Sequence, residues 1–153
     1  MPLKANIHFF FHQSSIRLPD RTKLKSFINE IFKKEGKNPG SLNYIFCSDK
    51  DLLKINKKFL GHNFYTDIIT FNLSEINSSI EAEIYISTDR VKENSKSQKS
   101  SFKQELLRVV FHGVLHLCGY SDKSLYQQRK MREKEDEYLL KYSKFHMKTY
   151  KLP

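Results

Sequence analysis

Two histidines and an aspartate within positions 111–122 have the residue types and spacing of a metal site. His112 and His116 are four positions apart, so on a helix both imidazoles lie on one face and can reach the same ion. Gly119 follows, and a glycine just past the last turn ends a helix by adopting the left-handed conformation. Asp122 can then return toward the histidines as a third ligand. Two imidazoles and one carboxylate leave one position of a tetrahedral zinc ion open, as in catalytic zinc sites.

The alternative interpretation of the histidine pair is a chance spacing on an apolar helix. The chain has six histidines, and this pair stands among leucines and valines, where burial of an imidazole without a partner is costly. A helix-ending glycine and a carboxylate follow directly. These observations favour one bound Zn²⁺, with another divalent transition metal as the alternative, and with a metal-bound water in the open position.

The residues around these ligands resemble the signature of the YbeY endoribonucleases, His-Gly-x-Leu-His-Leu-x-Gly-Tyr-Asp-His. The matching positions are His112, Gly113, Leu115, His116, Leu117, Gly119 and Tyr120. The resemblance implies a metal-dependent enzyme of ribosomal RNA maturation and ribosome quality control. The chain departs from the signature at its end, where Asp122 stands in place of the third histidine. Because carboxylate is an ordinary zinc ligand, we still expect His112, His116 and Asp122 to bind the ion.

A second block, 56–71, resembles the family pattern Asn-x-x-Tyr-Arg-Gly followed by Thr-Asp-Val-Leu-Ser-Phe. The matching positions are Asn56, Gly61, Thr66, Asp67 and Phe71, with Phe59 in the tyrosine position. Leu60 replaces an arginine that the family associates with RNA cleavage. Arginine offers a planar fork of donors to a phosphate and leucine offers none, so another cation would have to serve.

Arg108 is the main candidate for this phosphate contact, because it precedes His112 by one helical turn on the same face. Lys57 and His62 are further candidates, since both are near the substituted position in the sequence. The alternative for Arg108 is an ion pair with Glu105 or with another acidic neighbour.

The charge balance points to a polyanionic partner. The chain has 27 Lys and Arg residues against 17 Asp and Glu residues, a formal net charge of +10. Such an excess favours nucleic acid through release of condensed counterions. The alternative is a solvated, lysine-rich surface. Single-stranded RNA, ribosomal RNA and the ribosome are the partners that charge and resemblance together predict.

The length of 153 residues predicts one domain, 1–153, with a substantial core. The start of the chain lacks the apolar core of a signal peptide, and no apolar run approaches the roughly 20 residues of a membrane span. We therefore expect a cytoplasmic protein without a membrane partner. Cys47 and Cys118 lie in apolar runs, which predicts buried thiols rather than a disulfide. The sequence makes no prediction of the oligomeric state.

Hydrophobic periodicity predicts four strands and five helices. The predicted strands are 7–11, 42–47, 66–71 and 81–86, the third of them buried in the sheet. Helices are predicted from Asp20 to Gly36, from Asp49 to near Gly61, after Ser87, from Ser101 through the histidines, and from Ser124 to about Tyr142. In the last of these, Leu125, Tyr138 and Leu139 are expected to pack inward. This order predicts an α/β (α+β) fold, one mixed sheet with the metal site on a buried central helix and the following turn.

The main hypothesis is a zinc-dependent endoribonuclease with a preference for single strands, acting on small-subunit ribosomal RNA. A second is an RNA-binding or ribosome-binding assembly factor whose metal is structural, which the substitutions at Leu60 and Asp122 favour. A third is a zinc hydrolase of another bond. Gly113 weakens the case for a peptide bond, because it occupies the position of the catalytic glutamate in His-Glu-x-x-His proteases.

Overall fold

A computed structural model describes residues 4–18, 20–76 and 78–146 of the chain. The first three residues, used above to predict that no signal peptide is present, lie outside these ranges. In chain order the elements are β1 (Asn6–Phe11), α1 (Arg21–Lys34), β2 (Pro39–Cys47), α2 (Asp49–Ile55), a π-helical segment (Asn56–Leu60), β3 (Ile68–Asn72), β4 (Ile80–Ser87), α3 (Thr88–Ser97), α4 (Phe102–Leu117) and α5 (Leu125–Lys144). The predicted α/β class with four strands and five α-helices is confirmed.

The four strands form one mixed sheet in the order β1-β2-β4-β3. β1, β2 and β4 are parallel, and β3 pairs with β4 in the antiparallel direction. The prediction that the third strand is buried in the sheet was wrong, because β3 is an edge strand in which Ile69 is buried and Ile68 is only half-buried. Thr66 and Asp67 precede the strand and belong to the loop that enters it.

Alternation along the strands divides the apolar side chains between two clusters. Ile84 and Ile86 of β4 belong to the main core, which also contains buried residues of α1, α4 and α5. A smaller cluster of Cys47, Leu52 and Ile69 joins the strands to α2. Since successive side chains of a strand point to opposite faces, the sheet is covered on both sides.

α4 is the buried centre of the main core, as its composition predicts. Its buried residues are Glu105, Leu106, Leu107, Val109, Val110, Phe111, Gly113, Val114, Leu115 and Leu117. Ser101 caps the helix by accepting a hydrogen bond from the Gln104 N–H. Gly113 allows close packing on the sheet, because a Cβ atom there would lie 3.1 Å from Ile68 Cδ1 and 3.3 Å from Ile84 Cγ2. A side chain at this position would therefore point into the sheet.

The helix predicted to run to Gly61 changes its geometry near Asn56. α2 ends at Ile55, and the next five residues form one π-helical turn, which closes with Gly61 at a φ of 68°. A π-helical turn contains more residues than an α-helical turn, so the side chains after it change direction. In this turn Asn56 is buried and Phe59 is exposed.

α5 places one apolar stripe against the core, with a glutamate in it. The buried residues of the helix are Met131, Glu135, Tyr138, Leu139 and Tyr142. The expectation that Leu125 packs inward was wrong, since this residue is 73% exposed. It stands at the first position of the helix, before the stripe reaches the core. None of the helices in the described ranges is long and apolar enough to cross a membrane.

Both cysteines are free and buried, in agreement with the prediction from their apolar surroundings. Burial raises the pKa of the Cys47 and Cys118 thiols to about 12. Because the thiolate is the reactive form, we expect neither thiol to react with Ellman's reagent at mildly alkaline pH until the protein is unfolded. Spectrophotometric titration with and without denaturant tests this expectation. Rapid reaction in the native protein would contradict it, and a Cys118→Ser variant would show which thiol is responsible.

Candidate metal centre

The structure brings His112, His116 and Asp122 together, with one ligand atom of each within 4.8 Å of the others. The Nε2 atoms of His112 and His116 each lie 3.4 Å from the same oxygen, Oδ2 of Asp122. The two imidazole rings are nearly perpendicular, with an interplanar angle of 83° and centroids 4.5 Å apart. Three donor atoms from a helix and the turn after it therefore face one small space.

Hydrogen bonds on the opposite side of each ring determine where the lone pairs point. His116 Nδ1 lies 2.9 Å from the backbone carbonyl of Tyr120, which can only accept, so Nδ1 carries the proton. His112 Nδ1 lies 2.6 Å from Oε2 of Glu135, and an ionised carboxylate likewise accepts. Both Nε2 atoms are then left with lone pairs directed toward Asp122, which is the tautomer that metal binding requires.

This arrangement fits a cation. Two nitrogen lone pairs and a carboxylate oxygen repel one another unless a proton or a metal ion lies between them. A set of two histidines and one aspartate matches the ligand types of zinc, and three protein ligands leave a coordination position open. His112, His116 and Asp122 are therefore the residues that could hold a metal ion.

The turn that carries Asp122 is held by a Schellman motif and by side chains of two other helices. Gly119 has a φ of 103°, and the N–H groups of Gly119 and Tyr120 donate to the carbonyls of His116 and Leu115. This confirms the predicted helix end. The Tyr120 hydroxyl donates to Glu35, at the end of α1, over 3.0 Å. The same carboxylate accepts from Tyr138 of α5 at 2.7 Å.

Glu135 of α5 orients His112 and is itself held by Arg108. Its side chain is 6% exposed, with Oε2 on His112 and Oε1 3.1 Å from Arg108 Nη1. Arg108 Nη2 also lies 2.8 Å from Asp136, and its Nε lies 4.0 Å from Glu105. The Arg108 side chain is 12% exposed, and its guanidinium is paired with three carboxylates. Its proposed contact with a phosphate remains a prediction, while the alternative ion pairs are present.

The buried charges shift the protonation equilibria at the site. Burial lowers the pKa of His112, but the hydrogen bond and negative charge of Glu135 outweigh this effect and leave the pKa raised. Protons therefore compete with a metal ion for this imidazole, and metal binding weakens as the pH falls. Burial also raises the pKa of Asp67, although the charge of His112 opposes the rise.

The three candidate ligands lie in the wall of an open cleft of about 770 Å³. Other lining residues include Leu60, His62, Phe64, Asp67, Arg108, Lys123, Arg132 and Glu135. Leu60, which replaces the arginine of the family pattern, thus faces the same cleft as the histidines. Of the two further phosphate candidates, His62 lines the cleft and Lys57 is not among the lining residues.

Comparison with known proteins identifies the family. A family model described as endoribonuclease YbeY matches residues 8–143. The chain belongs to the YbeY family. The endoribonuclease YbeY of Cytophaga hutchinsonii is 49% identical over 133 residues, covering 87% of this chain and 93% of the relative. That of Amoebophilus asiaticus is 44% identical over 137 residues, covering 90% and 93%. A solution structure from Thermotoga maritima has a TM-score of 0.60 at 30% identity, and the match covers 90% of this chain and 88% of that one.

Membership in the YbeY family gives the Asp122 substitution a structural context. Oδ2 of Asp122 lies where both imidazole Nε2 atoms point, so the residue that replaces the third histidine of the family signature supplies the third donor atom. The side chain is 42% exposed, which leaves the candidate site open to the cleft. The substitution thus preserves a three-donor set.

Sequence reasoning missed the role of Glu135 in this YbeY chain. The signal was available, because Glu135 occupies the same helical stripe as Met131, Tyr138 and Tyr142, where a charged residue needs a buried partner. The identity of that partner was not available, since His112 is 23 positions away and meets Glu135 only through the packing of α5 on α4.

Proposed function

We propose that this chain is a zinc-dependent endoribonuclease that cuts single-stranded RNA during maturation of small-subunit ribosomal RNA in the cytoplasm. The observation that carries the proposal is the convergence of two imidazole Nε2 atoms on one oxygen of Asp122 in the wall of an open cleft. The name shared by the relatives supports RNA as the substrate class. The net charge of +10 supports a polyanionic substrate.

The donor set gives the metal its proposed role. When bound, a zinc ion would supply a water of lowered pKa and would offset negative charge on the phosphoryl oxygens. Glu135 and the Tyr120 carbonyl keep the Nδ1 protons of the two histidines in place, so the Nε2 lone pairs stay directed at the ion. Asp122 contributes a negative charge and leaves the cleft side accessible.

Binding of the RNA backbone is assigned to cations along the cleft. Lys123 and Arg132 both line it, and Lys123 is exposed. Arg108 has the charge for a phosphate contact, but to make one it would have to release Asp136 or share its guanidinium between the two anions. We therefore propose that Arg108 acts mainly by holding Glu135 against His112.

Cleavage of a labelled single-stranded ribosomal RNA fragment tests the proposal. We expect the zinc-loaded protein to cut the fragment, a chelator to stop the cutting, and added zinc to restore it. The same sequence as a duplex and as single-stranded DNA provides matched controls. Resistance of the DNA would indicate that the ribose 2′-hydroxyl takes part in cleavage. Cutting of the single-stranded DNA as well as the single-stranded RNA would favour direct attack on the phosphodiester.

A second candidate function is a non-catalytic assembly factor that binds RNA or the ribosome. Leu60 is the observation that favours it, because an apolar side chain lines the cleft where the family pattern has an arginine. Metal-loaded protein that binds the RNA fragment and leaves it intact would contradict the nuclease and support this alternative.

A further inference from the structure

Two stacked rings occupy the loop between the π-helical segment and β3. The imidazole of His62 and the ring of Phe64 have centroids 5.1 Å apart and an interplanar angle of 20°. Both residues are exposed, Phe64 to 56% of its surface, and both line the cleft that contains the candidate metal ligands. An aromatic pair that is left exposed in this way contributes little to the core.

One buried residue holds the part of the loop that carries the two rings. Asn56, which is 1% exposed, accepts a hydrogen bond from the His62 N–H at 3.2 Å through its carbonyl oxygen. Its side-chain Nδ2 donates to the Phe64 carbonyl at 2.9 Å. Gly61, with a φ of 68°, provides the left-handed residue that turns the chain into the loop. The ring pair is therefore presented by a fixed backbone rather than by an unsupported loop.

We propose that the ring pair of His62 and Phe64 is a stacking site for an unpaired base of the RNA, next to the phosphodiester held at the metal centre. The proposal rests on the proposed RNA substrate. An aromatic face accepts any of the four bases, and such stacking requires that the base is not already paired. A site of this kind would give the enzyme its preference for single strands without any reading of sequence.

Two observations favour a base over an apolar side chain of a protein partner. The rings line the same cleft as His112, His116 and Asp122, so an RNA strand whose phosphate reaches these ligands passes close to them. The cleft also carries cations and polar groups, including Lys123 and Arg132, as expected for a strand that follows phosphates on one side and stacks bases on the other. A protein partner would need none of this proximity to the metal ligands.

The test measures RNA binding separately from cutting. Zinc-loaded protein is titrated into a fluorescent, 2′-O-methylated single-stranded RNA, and the RNA is checked for integrity afterwards. We expect Phe64→Ala to weaken binding about tenfold, the loss of one base–aromatic stack, and Phe64→Tyr to retain binding. Affinity for a duplex of the same sequence should not change.

Phe10→Ala is the matched control. Phe10 is 51% exposed and its ring lies near an imidazole, that of His8, but the two rings are tilted at 35° and belong to β1 at the opposite edge of the sheet. We expect this variant to bind the single strand as the parent protein does. In a series of RNAs that each lack one base, the parent protein should lose affinity when the missing base is the one that stacks on the rings. For that RNA, Phe64→Ala should cause no further loss of affinity.

The stacking site would be excluded if Phe64→Ala bound the single strand as tightly as Phe10→Ala does. It would also be excluded if Phe64→Tyr lost as much single-strand affinity as Phe64→Ala, or if Phe64→Ala lost as much affinity for the duplex as for the single strand. Reduced co-sedimentation with ribosomes at unchanged RNA affinity would also overturn it and would assign the rings to a protein partner. If the parent protein binds the RNA but does not cut unmodified RNA, the proposed nuclease activity is contradicted. The binding data would still decide whether the rings stack on a base, because these data do not depend on cutting.

Discussion

Replacing His116 or Asp122 with alanine is expected to abolish metal binding and RNA cleavage together. Each substitution removes one of three donor atoms that face the same space, and the remaining pair cannot hold the ion firmly. Loss of a contact that merely supports a ligand costs roughly 10- to 100-fold in metal affinity or activity, so loss of a ligand itself should exceed this range. Metal content by mass spectrometry and cleavage of single-stranded RNA are measured on the same preparations.

The replacement Asp122→His separates the ligand role from the charge of the residue. It installs the histidine of the family signature, so it should retain metal and cleavage if Asp122 is a ligand. Ser121→Ala, in the same turn, controls for disturbance of the local backbone, and should retain metal. The ligand assignment fails if Asp122→Ala keeps a full complement of metal. The proposed zinc dependence fails if this variant loses the metal and still cuts at the parental rate.

Local patterns predicted most of the elements because each depends on neighbouring residues. The spacing of His112 and His116, with Gly119 after them, was sufficient to predict a helix end and a return of the chain to Asp122. The Schellman hydrogen bonds that hold this return join residues no more than five positions apart. For the same reason Ser101 was recognisable as the helix cap before α4.

The errors arose where long-range packing overrides local preference. The β-branched residues of β3 have the composition of a buried strand, but the pairing of β2 with β4 leaves β3 at the edge. The helix predicted from Asp49 to near Gly61 changes to one π-helical turn after Ile55, with Asn56 buried and Phe59 exposed. The contacts of Arg108 with Glu135 and Asp136 join residues on two helices, so no pattern within either helix could reveal them.

Glu135→Gln is expected to weaken metal binding about 10- to 100-fold although Glu135 faces away from the ion. The carboxylate accepts from His112 with one oxygen and from Arg108 with the other. An amide has only one oxygen, so its NH₂ group must face either the His112 Nδ1–H or the guanidinium, and both are donors. If the NH₂ group faces His112, the ring must move its proton to Nε2, which blocks the atom that binds metal.

The matched control for this second prediction is Asp136→Asn. Asp136 contacts the same guanidinium at 2.8 Å but neither histidine, so its replacement should leave metal affinity near that of the parent. Competition titration with a chromogenic zinc chelator measures the affinities, and nitrogen chemical shifts of the His112 ring in the metal-free protein report its tautomer.

Equal losses of zinc affinity in Glu135→Gln and Asp136→Asn would mean that Arg108, rather than the Glu135–His112 hydrogen bond, supports the site. If Glu135→Gln binds zinc as tightly as the parent and keeps the Nδ1–H tautomer, the orienting role of Glu135 is excluded. A shifted tautomer together with weakened binding would establish that a residue on α5 controls the lone pair that α4 presents to the metal.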